Sequence, residues 1–214
     1  MQMKRVGRRR LVFTFPVADW NLNIHVIMGR RFNYLIDTGL GSLSMEPIKK
    51  QLQKSAKPLV VINTHHHWDH VWGNHAFAGS MMISHPLCRT RIEEKWDTMM
   101  EKHGRYAAGE VIRCCPNMVF QNMLHFAEDK IRLLYTPGHT LDSISVLDEE
   151  DGTLNLGDNV GDTLEEIVPS LEVGKNEYAQ TLMRYKEMDV RAVISGHNDV
   201  LGKDVFDMIL GRLA

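Results

Sequence analysis

Cysteine is too scarce in this sequence for a disulfide framework. The chain has three cysteines, Cys88, Cys114 and Cys115, and no C-x-x-C pair. An odd number without that spacing argues against a disulfide-stapled fold and against a zinc knuckle. We therefore expect reduced thiols that are mostly buried.

Long hydrophobic runs are missing as well. After the basic start, the apolar run before Thr14 is only Leu11-Val12-Phe13, which is far shorter than the apolar core of a signal peptide. No stretch approaches the length of a membrane-spanning helix. This pattern predicts a cytoplasmic protein.

Charge of one sign is not in excess. The net charge is −2 over 214 residues, which gives no general attraction to polyanions. The basic stretch from Lys4 to Arg10 could serve as a nucleic-acid or lipid patch, but we interpret it as a solvated first strand. With 43% hydrophobic and 24% charged residues, the composition is that of a globular chain, and the length favours one domain.

Histidine is concentrated in the stretch Thr64 to His70, which reads T-H-H-H-W-D-H and directly follows an apolar run. Imidazole and carboxylate groups on a loop at a strand end are typical metal ligands. Residues two apart in extended chain point the same way, so His65 and His67 can converge on one ion, while Asp69 and His70 serve another. The alternative is a solvated histidine-rich loop.

Three later apolar segments also end in side chains of this chemical type. Strands predicted at 130–135, 153–156 and 190–194 are followed by His139, Asp158 and His197. Taken singly, these are a turn residue, an Asx-turn and a surface histidine. Together with the loop at 64–70 they would require four coincidences, so we interpret all four as parts of one metal site.

The remaining pattern alternates short strands with helices. Strands are predicted at 11–15, 23–28, 31–36, 59–63, 81–84 and 143–147, and helices at 44–54, 86–103, 175–188 and 204–213. Ser44 is the predicted N-cap of the first helix. Residues 86–127 have the weakest pattern and are interpreted as a helical insertion, whose methionines we take as core filler rather than a substrate wall.

Two further residues lie where they can serve the site. Asp37 follows the third strand and is either a turn-former or a partner of a ligand histidine. Trp20 falls in the predicted loop 16–21, where it either leans over a substrate or packs at the tip of a hairpin.

These motifs resemble those of the metallo-β-lactamase superfamily of hydrolases, in order and over nearly the whole chain. They are Asp37-Thr38-Gly39, His65-x-His67-x-Asp69-His70, Pro137-Gly138-His139-Thr140, Leu156-Gly157-Asp158 and Ser195-Gly196-His197. The resemblance implies an α/β fold, a four-layer αβ/βα sandwich, over residues 1–214 as a single domain. It also implies a dinuclear site at one edge of the two sheets.

The resemblance further implies a role for each matching residue. The first ion would be held by His65, His67 and His139, the second by Asp69, His70 and His197, and both by Asp158 as a bridge. Asp37 and Thr140 would orient the ligands without touching an ion. His66 has no matching role, and strand alternation turns its ring away from the two flanking histidines.

The implied chemistry is hydrolysis by two divalent ions. Such a pair, about 3.5–4 Å apart, holds a hydroxide near neutral pH and polarises the bond to be cleaved. Asp69 would orient this hydroxide and accept or relay its proton, which makes it the catalytic residue. Five histidines and two carboxylates make zinc the first choice, with iron or manganese as alternatives. In agreement, the sequence has no G-x-S-x-G elbow, phosphate-binding loop or dinucleotide fingerprint.

Departures from known branches of the family narrow the expected substrate. The commonest dizinc β-lactamases carry Cys where Asp158 stands, so hydrolysis of β-lactam antibiotics is not expected. Flavodiiron proteins carry Glu where His67 stands, so that branch is not expected either. The loop at 64–70 with Gly73-Asn74 resembles glyoxalase II thioesterases, but these add a helical C-terminal region that binds glutathione. Acyl-homoserine lactonases have Tyr at the position of Gly161.

We therefore predict a dinuclear hydrolase of a small ester, thioester or lactone. Its partner would be a small-molecule substrate, without nucleic acid or membrane, and a homo-oligomer is compatible with the sequence. The alternatives are a phosphodiesterase or nuclease, a persulfide dioxygenase-like iron enzyme using only His65, His67 and Asp158, and a non-catalytic binding module.

Overall fold

The computed structural model describes residues 1–213 in two compact units, Met1–Gln121 and the chain from Asn122 onward. Each unit is built on one sheet. The single domain over the whole chain stays a prediction.

The first unit holds a seven-stranded sheet whose strands lie side by side in sequence order. They are β1 (Gln2–Val6), β2 (Arg10–Val17), β3 (Trp20–Met28), β4 (Asn33–Ile36), β5 (Leu59–Ile62), β6 (Met81–Ser84) and β7 (Met118–Val119). The first four strands pair antiparallel and the last four pair parallel. Because parallel strands end at the same sheet edge, the turns that follow β4 and β5 meet there.

Three helices complete the first unit, with 3₁₀ turns at Asn74–Phe77 and Gly104–Tyr106. They are α1 (Ser42–Leu52), α2 (Trp68–Val71) and α3 (Pro86–His103). α1 buries Met45 and Ile48 against the β2–β3 side of the core. α3 buries Ile92 and Trp96 in a second cluster with Trp72. The opposite face of α3 is left exposed, as expected for an amphipathic helix.

The second unit holds a five-stranded sheet in the order β12-β11-β10-β9-β8. Its strands are β8 (Met123–Phe126), β9 (Ile131–Tyr135), β10 (Ile144–Asp148), β11 (Thr153–Asn155) and β12 (Ala192–Ile194), and its helices are α4 (Lys175–Glu187) and α5 (Val205–Leu213). Tyr178, Tyr185 and Phe206 are the largest side chains of its core. β11 and β12 pair parallel, so their turns also meet at one edge.

The hairpin of β2 and β3 is longer than predicted. Both strands continue to the two-residue turn Ala18-Asp19, so Trp20 is the first residue of β3 and not part of a loop. Pro16 suggested a break because it cannot donate to a ladder. β1, however, reaches only Thr14 of β2, so Pro16 has no strand on its other side and is tolerated.

The predicted N-cap of α1 was wrong. The helix begins at Ser42 and Gly41 holds the cap position with φ 134°, a conformation that favours glycine. Ser44 acts from inside the first turn instead. Its hydroxyl donates to Gly41 O at 2.7 Å and accepts from Leu40 N at 3.2 Å.

The segment 86–127 is only partly helical. α3 has the predicted bounds, but the short strands β7 and β8 follow it. β7 has two residues and both are exposed, so it carries no hydrophobic period that a sequence pattern could reveal. Among the described residues, Cys88, Cys114 and Cys115 form no disulfide, and Cys88 is buried while Cys114 and Cys115 are partly exposed.

Among residues 1–213, no helix combines the length and the apolar character that crossing a bilayer requires. The cytoplasmic location stays a prediction.

His25 in β3 is expected to make the fold sensitive to acid. Burial, with a smaller contribution from the Arg10 guanidinium, lowers the pKa of His25 to about 3. Between pH 6.5 and 3, His25 therefore binds a proton in the unfolded chain but not in the folded chain, so the free energy of unfolding falls as the pH falls through this range. At pH 5 this costs about 2 kcal/mol.

Urea unfolding at pH 7.5 and pH 5.0 tests this expectation. His25→Leu should lose about 2 kcal/mol less than the wild type between the two pH values, whereas His75→Gln, at an exposed position, should lose as much as the wild type. Equal losses in the wild type and His25→Leu would contradict it.

Candidate metal centre

The turn after β5 brings together the four predicted ligands of the first unit. The ring centroids of His65 and His67 lie 4.6 Å apart, and those of His65 and His70 lie 4.1 Å apart. His67 has extended backbone at the N-cap position of α2, and the helical turn that follows places Asp69 Oδ2 3.6 Å from His70 Nε2. His65, Asp69 and His70 are buried and His67 is half-buried.

Asp37, at the end of β4, anchors this turn. Its Oδ1 accepts from Thr64 N at 2.7 Å, and its Oδ2 accepts from Thr64 Oγ1 at 2.7 Å and faces His70 Nδ1 at 2.9 Å. Asp37 has φ 63°, in the left-handed region where aspartate is among the few side chains tolerated. Asp37 is 3% exposed, so these hydrogen bonds are little weakened by water.

This network settles which nitrogen His65 and His70 present. A carboxylate only accepts, so His70 Nδ1 carries the hydrogen toward Asp37. Thr64 has given its one hydroxyl hydrogen to Asp37, so it accepts from His65 Nδ1 at 3.1 Å. In the neutral ring of each histidine the lone pair is then on Nε2.

The arrangement suits a cation. The Nε2 lone pair of His70 and the Oδ2 of Asp69 are both electron donors and lie 3.6 Å apart. Histidines whose Nδ1–H is held by an oxygen while Nε2 faces a carboxylate are typical of metal ligands. The donor set in the first unit therefore fits a divalent metal.

A buried amide network that sequence reasoning missed supports the same turn. Thr38 Oγ1 donates to Asn74 Oδ1 at 2.8 Å, and Asn74 Nδ2 donates to Asn63 Oδ1 and Cys114 O, both at 2.9 Å. Asn74 thus ties the ends of β4 and β5 to residue 114, forty positions away. Its signal in the sequence is Gly73-Asn74, close behind the histidine-rich loop.

The second unit brings together the other three predicted ligands. Asp158 follows β11 and His197 follows β12, and the hydrogen bond from Gly196 N to Gly157 O at 3.0 Å joins the two turns. His197 Nε2 lies 3.2 Å from Asp158 Oδ2. Asp158 and His197 are buried.

His139, after β9, repeats the pattern found in the first unit. Its Nδ1 faces the backbone oxygen of Ser170 at 2.9 Å, and because a carbonyl only accepts, Nδ1 carries the hydrogen. Its Nε2 lies 3.9 Å from Asp158 Oδ2. The lone pair of a neutral His139 ring therefore faces a carboxylate, as it does in His70, and the donor set of this unit also fits a divalent metal.

Asn159 fixes the loop of His139 and was not predicted. Its Oδ1 accepts from His139 N at 2.8 Å, and its Nδ2 donates to Thr136 O at 2.7 Å and to the hydroxyl of Tyr185 at 3.0 Å. The Tyr178 hydroxyl donates to Asn159 O at 2.7 Å. Burial raises the pKa of both phenols, so both hydroxyls stay protonated.

The remaining predicted residues have local partners. The Thr140 hydroxyl lies 2.7 Å from Ser143 Oγ, inside the turn that carries His139. Trp20 packs edge-on against Trp68 and Tyr106, with ring centroids 5.9 and 6.4 Å apart. That contact favours the packed hairpin residue over a side chain leaning across a substrate.

The family model for the metallo-beta-lactamase superfamily matches residues 18–197. The chain belongs to the metallo-beta-lactamase superfamily. Superfamily members are generally hydrolytic metalloenzymes, typically with divalent metals such as zinc. The family prediction is therefore confirmed, while the glyoxalase II-like branch stays a prediction.

Solved structures confirm the predicted metallo-β-lactamase fold. DIM-1 metallo-beta-lactamase has a TM-score of 0.77 and 15% identity, with 99% of this chain and 95% of that chain covered. A metallo-beta-lactamase from Pontibacter korlensis has a TM-score of 0.76 and 16% identity, with 99% and 98% covered. At these identities the likeness shows the fold alone.

Two curated proteins are similar in sequence. The lactamase-like protein adaB of Aspergillus niger is 29% identical over 64% of this chain. The probable metallo-hydrolase MJ0296 of Methanocaldococcus jannaschii is 26% identical over 68% of this chain. The matched regions span 38% and 59% of those two proteins.

Asp37→Asn should weaken metal binding more than folding. Asparagine tolerates φ 63°, but it replaces one acceptor oxygen with a donor. Either Thr64 N–H, which bonds Oδ1, or both the Thr64 hydroxyl and His70 Nδ1–H, which bond Oδ2, then lose their acceptor. We expect the affinity for zinc to fall about 10–100-fold, as measured by competition with a chromophoric chelator.

Asp148→Asn is the matched control. Asp148 is a buried aspartate whose Oδ1 accepts from Glu150 N and Asp151 N in the second unit, apart from the ligand turns. This variant should keep the zinc affinity of the wild type. Equal affinity in all three proteins, or an equal loss in both variants, would contradict the role given to Asp37.

Proposed function

We propose that the protein binds two divalent metal ions and hydrolyses a small ester, thioester or lactone. One ion would be held by His65, His67 and His139, the other by Asp69, His70 and His197, with Asp158 between them. The observation that carries this proposal is the common tautomer: His65, His70 and His139 all have Nδ1 engaged by an oxygen, which leaves Nε2 for a metal.

Zinc is the proposed metal. Five imidazoles and two carboxylates form a borderline donor set that zinc binds well and that iron or manganese can also occupy. When bound, two such ions supply an activated water and polarise the carbonyl of the substrate.

Asp69 is the proposed catalytic residue. It is buried, so its carboxylate is held in a fixed place beside His70. In the reaction its carboxylate orients the attacking water and accepts a proton from that water. The proton then passes to the leaving alkoxide or thiolate. Because water is the nucleophile, no nucleophilic side chain is needed.

The loop after Asp158 argues against a lactonase with tyrosine at position 161. A Cβ built on Gly161 would overlap the backbone oxygen of Glu166, while Gly161 N donates to Ile167 O at 2.8 Å. Any side chain there would force this loop open. A lactone substrate would therefore have to be activated without a tyrosine at this position.

The proposal is tested by hydrolysis assays on purified, zinc-replete protein. We expect turnover of at least one class among aryl esters, acyl thioesters and lactones, and Asp69→Asn should lower kcat about 10²–10⁴-fold. Asp97→Asn, at an exposed position on α3, should leave kcat unchanged.

Two results would overturn it. One is ready cleavage of phosphodiesters with no acyl substrate turned over, which would indicate a phosphodiesterase or nuclease. The other is a single iron per chain with oxygen consumption, which would indicate an oxygenase of the persulfide dioxygenase type.

A further inference from the structure

A cavity of about 340 Å³ opens beside the ligand turn, within the first unit. Its size is that of a small-molecule site. Its lining includes His66, His67 and Trp68 on one side and Lys95, Lys102 and His103 of α3 on the other. Because His67 is a proposed metal ligand, the cavity lies next to the expected position of the reacting group.

The cavity wall formed by α3 is positively charged. Lys95 and Lys102 lie seven residues apart, two helical turns along one face, with Thr98 between them. Within residues 1–213 neither lysine has an ion-pair partner, whereas Arg89 on the same helix pairs with Glu93 at 3.3 Å. No carboxylate lines the cavity, so the positive charge is not neutralised there.

One of these ammonium groups is held in place. Lys95 Nζ lies 3.3 Å from His66 Nε2, and because an ammonium group only donates, the imidazole nitrogen accepts. His66 is 2% exposed and therefore fixed. This contact positions Lys95 at the cavity. It also gives a role to His66, which lies between two proposed ligands but is not itself a proposed ligand.

Trp68 gives the wall opposite the lysines an aromatic surface. The Trp68 ring stacks on His103, with centroids 4.9 Å apart and an interplanar angle of 7°, and on Tyr106 at 5.2 Å and 20°. Such a surface suits the apolar body of a substrate. The cavity thus combines an apolar wall with two positive charges.

We propose that Lys95 and Lys102 bind an anionic group of the substrate, a carboxylate or a phosphate, and so determine specificity. The inference rests on the proposed acyl hydrolase, because the inference places the scissile carbonyl of the substrate next to His67 and its anionic group on α3. The substrate class is then an ester, thioester or lactone that carries a negative charge on its acyl or leaving part.

Binding of inert probes tests the cavity without catalysis. By calorimetry on the zinc-replete full chain, glutarate or propyl phosphate should bind wild type, and Lys95→Met and Lys102→Met should each raise that Kd about tenfold. Neutral glutaramide should bind all variants alike. The matched control is Lys50→Met, which removes an exposed lysine of α1 and should change nothing.

The choice of probe separates the two anion sources. If the cavity variants lose affinity only for glutarate, the anionic group of the substrate is a carboxylate. If they lose affinity only for propyl phosphate, it is a phosphate. Equal Kd values in wild type and in both cavity variants, with unchanged thermal melting, would overturn the inference. An equal loss of probe affinity in Lys50→Met would also overturn it, because the effect would then not be specific to the lysines of the cavity.

Kinetics separate this inference from the proposed function. With phenyl hydrogen glutarate and phenyl hexanoate as substrates, Lys95→Met and Lys102→Met should raise KM about tenfold for the anionic ester only, with kcat kept. Lys102→Glu should reverse the preference between the two. Hydrolysis of both esters without discrimination overturns the inference, whereas probe binding that depends on the lysines without any hydrolysis supports the cavity and overturns the proposed acyl hydrolase.

Discussion

The carboxylate of Asp37 is the constraint on which the first half of the candidate site depends. It accepts two hydrogen bonds from Thr64 and one from His70, and through the Thr64 hydroxyl it also determines the tautomer of His65. A single buried charge therefore directs two imidazoles so that both present Nε2. The left-handed backbone at Asp37 is a local strain, and the hydrogen bonds it permits offset that strain.

The second unit reaches the same result with different atoms. A backbone carbonyl, that of Ser170, holds Nδ1 of His139, and the amide of Asn159 holds the backbone nitrogen of the same residue. Asp158 then faces Nε2 of His139 and of His197. Each unit thus gathers donor atoms whose mutual repulsion a divalent cation would relieve, and membership of a family of metallohydrolases makes that cation the natural occupant.

Sequence reasoning found the strands and the ligand-type residues that follow them, because both leave local signals. An apolar run followed by His139, Asp158 or His197 is visible in a few adjacent letters. Asn74 and Asn159 were missed because their importance comes from partners that are far away in the chain. β7 was missed because two exposed residues carry no pattern. Trp20 was placed in a loop because the tolerance of Pro16 depends on where β1 ends, which no local pattern records.

The central proposal is that seven side chains hold two ions. Anomalous scattering from a crystal of the zinc-replete protein at the zinc edge tests it most directly. The account predicts two peaks per chain, one coordinated by His65, His67 and His139, the other by Asp69, His70 and His197, with Asp158 on both. Absence of both peaks, or peaks that leave His139, Asp158 and His197 uncoordinated, would contradict it.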